Sequence, residues 1–261
     1  MRTLAKSLMI LDLFSEAQPA WRLSEIAAST GLDRSTAHRM LKTLLEFGYL
    51  SHERESKRYQ LGATIQRLAR TREAVVATAP FYREILETLT QQTQETSHAS
   101  LIAGFQIATI AVCEGHHASR VVVAAGGRLD MHATASGLAC LAYGPGQLLE
   151  RALSQPLPAY APTTPLTASD LEQRLGDIRT RGYALADGTF DPEVFGIAAP
   201  IFGHEQTAIG AIAVASPFSR MTPVSRLKIA RATVEAALRA SAVEAGHVPR
   251  SYLETTRNLL S

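Results

Sequence analysis

Apolar residues recur every three or four positions through the first 48 residues, which is the period of amphipathic helices. This spacing predicts three helices: one that ends before Gln18-Pro19, one from about Ser24 to Gly31, and one from Asp33 to Gly48. The inner face of the first helix should consist of Leu4, Leu8, Leu11 and Phe14. Residues 49–61 predict two short strands around a charged tip, and 62–79 a further helix that Pro80 closes.

The third helix has two contrasting faces. At 100° per residue, its packing face comprises Ala37, Met40, Leu41 and Leu44, and the opposite face comprises Ser35, His38, Arg39 and Lys42. Ala27 and Gly31 lie in the preceding helix and turn, where a small residue and a left-handed turn let two helices cross closely. We therefore predict a winged helix-turn-helix at 1–61, followed by a linker helix at 62–79.

The polar face of the third helix predicts contact with double-stranded DNA. The guanidinium of Arg39 suits the two acceptors of guanine, and the charged hairpin would place Arg54, Lys57 and Arg58 near phosphates. Each of these three hairpin residues fits an exposed hairpin equally well. The predicted DNA-binding residues are Arg34, Ser35, Thr36, His38, Arg39, Lys42, Arg54, Lys57 and Arg58.

From residue 80 onward, strands and helices mix. The predicted strands lie at 98–103, 106–114, 120–125, 183–187, 195–202 and 207–215. The predicted helices comprise one on Phe81, Ile85 and Leu89, those at 136–143 and 146–153, one from Thr167 to Gly182, and a last one from Thr222-Pro223 to about Ala245. This order predicts an α+β fold at 80–261, with an antiparallel sheet flanked by helices.

Charge and composition agree with this division. The net charge of the chain is +2, but residues 1–78 hold 12 basic against 8 acidic residues, which places a phosphate-binding surface in the first third. Two isolated cysteines, no signal peptide and no long apolar run predict a cytoplasmic protein without a membrane span.

The pair His116-His117 lacks a third metal ligand, and neither a nucleophile elbow nor a phosphate-binding loop occurs. We expect no enzyme activity, no metal and no cofactor.

Several segments resemble the IclR family of transcription regulators. Leu23–Ala27 and Gly31–Leu41 are similar to the helix-turn-helix of that family, and Tyr59–Gly62 to the end of its wing. Gly127–Gly137, Ile197–Ile201 and Ala215–Pro217 resemble three segments of its second domain. The resemblance implies a GAF-like effector domain, dimers built partly through the DNA-binding domains and linker helices, and often tetramers. It also implies a pocket between the sheet and the 132–137 loop, which in the family often binds small organic acids, frequently aromatic ones.

Some positions depart from the family pattern. Leu138 stands where the family usually has lysine, and Gly196, Ala213 and Ala215 stand where some relatives have polar residues. We therefore expect a bulkier, less polar ligand that is held by backbone groups. The small residues before the helix at 136 would present N–H groups to a carboxylate. The predicted effector-binding residues are Met131, His132, Ala133, Thr134, Ala135, Ser136, Gly137, Asp187, Gly196, Ile197, Ala213 and Ala215.

Alternatives remain at several of these positions. The 133–137 run fits an ordinary helix cap, and Asp187 fits a turn as well as a ligand contact. Cys113 and His98 lie on strands that could line the pocket, although a buried structural role is favoured for both.

We expect a one-component regulator that binds an inverted repeat as a homodimer or dimer of dimers, with RNA polymerase as a partner if it activates. A thiol-based redox regulator using Cys113 or Cys140 is the alternative, and a DNA-tethered enzyme a more remote one.

Overall fold

The computed structural model describes residues 3–15, 18–75, 79–124 and 128–261. The chain divides into two compact units, Met1–Ala77 and Thr78–Ser261. The first unit contains α1 (Thr3–Leu11), β1 (Ala20–Arg22), α2 (Leu23–Thr30), α3 (Arg34–Glu46), β2 (Leu50–Glu53), β3 (Arg58–Leu61) and α4 (Ala63–Val75). Its three strands form an antiparallel sheet in the order β1-β3-β2. The predicted winged helix-turn-helix is confirmed, and β1 is an addition to it.

The core of the first unit lies between α1, α2, α3 and the sheet. All four residues of the predicted packing face of α3 are buried, and Met40, Leu41 and Leu44 form one core cluster with Ile10, Ile26 and Tyr59. The predicted inner face of α1 is wrong in part, because Leu4 is 72% and Leu8 51% exposed. The face that meets α3 instead carries Ile10 and Ser7, whose hydroxyl lies 3.1 Å from the sulfur of Met40.

The boundaries of two other helices also differ from the prediction. The second helix begins at Leu23, because the carboxylate of Glu25 accepts a hydrogen bond from the N–H of Arg22 at 2.7 Å. The described part of the linker helix ends at Val75; residues 76–78 of the predicted 62–79 helix lie outside the described residues. Pro80 does not close that helix but lies in the first turn of the next one, where its missing N–H needs no partner.

The second unit consists of a six-stranded antiparallel sheet with helices on both faces. Its elements are α5 (Ala79–Thr93), β4 (Thr96–Ala103), β5 (Gln106–Cys113), β6 (Arg128–Leu129), α6 (Ala135–Tyr143), α7 (Gly146–Leu153), α8 (Ala168–Arg181), β7 (Ala184–Asp187), β8 (Val194–Phe202), β9 (Ala208–Pro217), α9 (Pro223–Val243) and α10 (Arg250–Leu260). The strand order is β6-β5-β4-β9-β8-β7. The predicted fold class is confirmed.

Alternate residues of the strands support the two helical layers. Large residues such as Ile197, Ile212 and Val214 pack beneath α5 and α9. Small residues such as Ala186, Ala198 and Ala213 face α6 and α8. Small side chains let these helices approach the sheet closely and leave space at the start of α6, where a cavity lies.

Three predictions for this unit need correction. In α5 the buried residue is Tyr82, which is 1% exposed, whereas Phe81 is 51% exposed. Residues 120–124 form no strand, although Val121–Val123 favour one; the Val121 carbonyl instead accepts a hydrogen bond from the Thr96 hydroxyl at 2.7 Å. Helix α10 was not predicted, and its Tyr252 packs edge-on against Tyr143 and Phe202.

Candidate functional site

The outer face of α3 is an exposed cationic surface. Ser35, His38, Arg39 and Lys42 are all exposed, as is Arg34 at the start of the helix. The side chains of Arg34, Arg39 and Lys42 form no ion pair with any residue that the structure describes. Such uncompensated cations attract an anionic partner.

The cap of α3 uses two of the predicted DNA-binding residues. The Asp33 carboxylate accepts hydrogen bonds from the Ser35 hydroxyl at 2.6 Å and from the N–H of Thr36 at 2.8 Å. These bonds hold the pKa of Asp33 well below its usual range. Thr36 is only 8% exposed and so lies away from the outer face, contrary to the prediction.

An open groove of about 750 Å³ runs between the starts of α2 and α3 and the hairpin tip. It is lined by the basic residues Arg22, Arg34, His38, His52, Arg54 and Lys57, against the single acid Glu55. Arg22 and His52 were not predicted; they lie on β1 and β2, the two strands that pair with β3.

Arg58 has a different environment from the rest of the hairpin tip. Its guanidinium donates a hydrogen bond to the Ala20 carbonyl at 2.8 Å and lies 3.9 Å from Glu25. The side chain is therefore held against β1, where it supports the small sheet, and its contact with DNA stays a prediction.

In the second unit, a cavity of about 320 Å³ lies between the sheet and the start of α6. Six of the predicted effector residues line it: Thr134, Ala135, Ser136, Gly196, Ala213 and Ala215. The remaining wall consists largely of the 121–124 segment, Ala186, Phe190 and Val194. The cavity thus has an apolar body with most of its polar groups near the helix start.

The other six predicted residues do not line this cavity. Ile197 lies on the opposite face of β8, and Asp187 lies 3.5 Å from Arg174 in an ion pair. His132 Nε2 lies 2.9 Å from the Pro158 carbonyl, and the Ala133 carbonyl accepts a hydrogen bond from the Thr189 hydroxyl. Met131 and Gly137 pack against each other behind the cavity wall. These residues fix the shape of the loop.

His98, for which the sequence analysis favoured a buried structural role, is a polar residue of the cavity wall. It lies on β4, is 8% exposed, and its Nε2 is 3.4 Å from the Ser136 hydroxyl. Burial lowers the pKa of His98 to about 4, so the imidazole is neutral at pH 7. The structure brings His98 to the cavity through the antiparallel pairing of β4 with β9, where it lies opposite Ala213.

The loop after β7 supplies a second wall of the cavity through Phe190 and Asp191. The proline-rich loop before α8 holds this segment: Thr163 donates to the Gly188 carbonyl at 2.7 Å, and Thr164 donates to the Thr189 carbonyl at 2.6 Å. The ring of Tyr160 lies 4.8 Å from that of Phe190. No local sequence pattern predicted these contacts.

Comparison with known proteins identifies the family. A family model for the IclR helix-turn-helix domain matches residues 3–54, and one for the C-terminal part of the bacterial transcriptional regulator IclR matches residues 66–242. The chain belongs to the IclR family. It is a transcriptional regulator with a helix-turn-helix DNA-binding domain and a C-terminal effector domain, as the sequence resemblance implied.

Individual relatives are similar over nearly the whole chain. The regulator BhcR of Paracoccus denitrificans is 31% identical over 240 residues, which covers 90% of this chain and 85% of BhcR. A crystal structure assigned to an IclR regulator of Silicibacter sp. TM1040 is 33% identical, with a TM-score of 0.88 over 96% of this chain and 99% of that one. An IclR homologue of Microbacterium hydrocarbonoxydans complexed with 4-hydroxybenzoate is 25% identical, with a TM-score of 0.73 over 94% and 99%.

The relatives are regulators and not enzymes. The alternative of a thiol-based redox regulator depends on the environments of Cys113 and Cys140. Cys140 is fully buried, and burial raises the pKa of its thiol to about 12, which disfavours the reactive thiolate. Cys113 lies with the core beneath α5 and α9, away from the cavity. Within the described ranges there is no cluster of three or more metal-ligating side chains, and no helix is long and apolar enough to cross a membrane.

Proposed function

We propose that this regulator controls catabolic genes by binding an inverted-repeat operator through α3 and the hairpin tip. It would bind as a homodimer or dimer of dimers, with RNA polymerase as a further partner if it activates. The proposed domains are the winged helix-turn-helix at 1–61, a linker at 62–79 that contains α4, and the effector domain at 80–261. The observation that carries the DNA-binding part is the exposed face of α3, whose basic side chains have no acidic partner among the described residues.

Arg39 is the proposed base-contacting residue, and Arg34, His38, Lys42, Arg54 and Lys57 are proposed to contact phosphates or further base edges. Ser35 is exposed, but its hydroxyl donates to Asp33, so we assign it a role in holding the helix start. A bidentate contact between arginine and guanine contributes about 1–3 kcal/mol of discrimination.

The test is the affinity of purified variants for a DNA site selected in vitro from a random library. Arg39→Ala should weaken binding to the selected site by about 1–3 kcal/mol and leave binding to scrambled DNA nearly unchanged. Arg250→Ala removes the same charge from a side chain of the second unit that is 93% exposed, and serves as the control. Equal discrimination by Arg39→Ala and the wild type would contradict the assigned role.

The effector is proposed to be a small organic acid, often aromatic, bound in the cavity at the start of α6. The N–H groups of a first helical turn have no acceptors within the helix and favour an anion. The Thr134 hydroxyl accepts the hydrogen bond of the Gly137 N–H at 3.2 Å, and the N–H groups of Ala135 and Ser136, two residues that line the cavity, would bind the carboxylate. The apolar walls formed by Val121, Phe190 and Val194 suit a hydrocarbon body. A relative bound to 4-hydroxybenzoate supports an aromatic acid.

A thermal-shift screen of aromatic and aliphatic acids tests this assignment. A ligand at 100 times its dissociation constant should stabilise the folded chain by about 2.7 kcal/mol. Ala213→Leu points a larger side chain into the cavity and should abolish the stabilisation. A ligand that stabilises Ala213→Leu as much as the wild type binds elsewhere and would contradict the proposed site.

A further inference from the structure

His98 occupies a position on the sheet where the residues paired with it on β9 and β8 offer no side-chain donor. It lies on β4 directly opposite Ala213 of β9, and Ala213 is paired in turn with Ala198 of β8. In the next row, Thr96 of β4 is paired with Ala215, and Ala215 with Gly196; the Thr96 hydroxyl already donates to the Val121 carbonyl. His98 is therefore the imidazole in a wall of small residues, and it is 8% exposed at the cavity.

The side-chain donors near the start of α6 can be counted. The Thr134 hydroxyl is already used twice: it accepts from the Gly137 N–H at 3.2 Å and donates to the Asp130 carbonyl at 3.3 Å. Ser136 and His98 remain, with Oγ and Nε2 3.4 Å apart. Nδ1 of His98 is buried and has no hydrogen-bond partner among the described residues.

This pair has one more donor proton than it uses. A neutral imidazole carries one N–H and serine one O–H, and their mutual hydrogen bond uses only one of the two protons. If Ser136 donates to Nε2, the remaining proton lies on Nδ1 of His98. If Nε2 donates to Ser136, the remaining proton is that of the serine hydroxyl. Because Nδ1 is buried, the second arrangement is the one that presents a donor, the serine hydroxyl, to an anion in the cavity.

We propose that His98 determines effector specificity by forming, with Ser136, the site for the carboxylate of a monocarboxylic acid that has an apolar body. This inference rests on the proposed function of the cavity. By directing the Ser136 hydroxyl toward the ligand, His98 would provide the donor that Gly196, Ala213 and Ala215 lack. Asp191 is the acidic residue on the wall formed by the loop after β7, and its charge disfavours a second carboxylate on the ligand.

Calorimetric titration of the full chain with three probes tests the proposal. Benzoate carries the carboxylate, benzamide has the same ring with a neutral head, and terephthalate adds a second carboxylate. The wild type should bind benzoate at least about tenfold more tightly than terephthalate. His98→Leu should lose about tenfold or more for benzoate but less than about threefold for benzamide, since hydrogen bonds to charged groups are the stronger ones. His98→Gln keeps a donor and should recover part of the affinity.

Val194→Ala is the matched control, because Val194 lines the apolar body of the cavity and should affect benzoate and benzamide alike. Equal losses for both ligands in His98→Leu would overturn the role of His98 and leave the proposed effector cavity intact. Hexanoate, titrated in the same way, is an aliphatic monocarboxylate. If the wild type binds neither benzoate nor hexanoate, the proposed carboxylate site itself is contradicted, and so is the role of His98.

A second measurement does not depend on the folding of the leucine variant. In ¹⁵N-histidine-labelled wild type, benzoate should shift the imidazole resonances that are missing from the spectrum of His98→Gln. Unshifted resonances, with binding confirmed by calorimetry, would overturn the proposal.

Discussion

Replacing Gly137 by alanine should destabilise the second unit, because the start of α6 lies directly on the backbone of Met131. A Cβ at Gly137 would lie 2.6 Å from the Met131 carbonyl carbon and closer still to its Cα and oxygen. These atoms belong to the main chain and cannot rotate away. Overpacking of a rigid site costs about 1–3 kcal/mol, and we expect the upper end of that range. To relieve the contact, the start of α6 would have to move away from Met131, and this would displace Ala135 and Ser136 at the cavity wall.

Gly176→Ala is the matched control for this substitution. Gly176 is an exposed residue inside α8, and a Cβ there meets no atom within 4 Å. Alanine is a better helix former than glycine by roughly 0.5–1 kcal/mol, so this variant should be more stable. Scanning calorimetry of the full chain should show a lower transition temperature for Gly137→Ala, by roughly 6–12 °C, and a slightly higher one for Gly176→Ala. A Gly137→Ala chain that melts at or above the wild-type temperature would refute the close packing on Met131.

Three further predictions concern other groups. Because the pKa of His98 is about 4 in the folded chain and about 6.5 when unfolded, the free energy of unfolding should fall by about 3 kcal/mol between pH 6.5 and 4. Urea titrations should show a smaller decrease in His98→Gln. Arg220→Met should lower the free energy of unfolding by about 3 kcal/mol, since the buried carboxylate of Glu95, which lies 2.6 Å from Arg220, loses its partner. Arg250→Met, which breaks an exposed ion pair with Glu254, should lower it by less than about 1 kcal/mol in the same assay. Lys42→Ala should reduce the slope of log K against log salt in DNA binding by about 1, and an unchanged slope would exclude a phosphate contact.

The sequence predicted best what depends on neighbours along the chain. The two faces of α3 follow from the helical period alone, and its packing face is buried as expected. The cap by Asp33 and the left-handed turn at Gly31 are equally local, since each involves residues within one turn. Leu4 and Leu8 show the limit of this reasoning, because α1 turns Ile10 and not these leucines toward α3.

Features that depend on strand order were predicted less well. β1 has only three residues, and it is stabilised by pairing with β3, far along the chain. His98 lines the cavity because β4 pairs with β9, which no local pattern of residues indicates. Val121–Val123 have the composition of a strand, yet they form a cavity wall instead. The motif at 134–136 placed the cavity correctly, whereas the opposite wall required the tertiary structure.

The most direct test of a regulator that couples the two units is the affinity for selected DNA with and without a bound carboxylate. Fluorescence anisotropy of the in vitro-selected site should show a change of roughly 5- to 150-fold in the dissociation constant at saturating ligand, the usual range of allosteric coupling. The change should be absent in Ala213→Leu, in which the cavity is filled. An unchanged DNA affinity of the wild type, with the carboxylate shown by calorimetry to be bound, would contradict effector control of DNA binding.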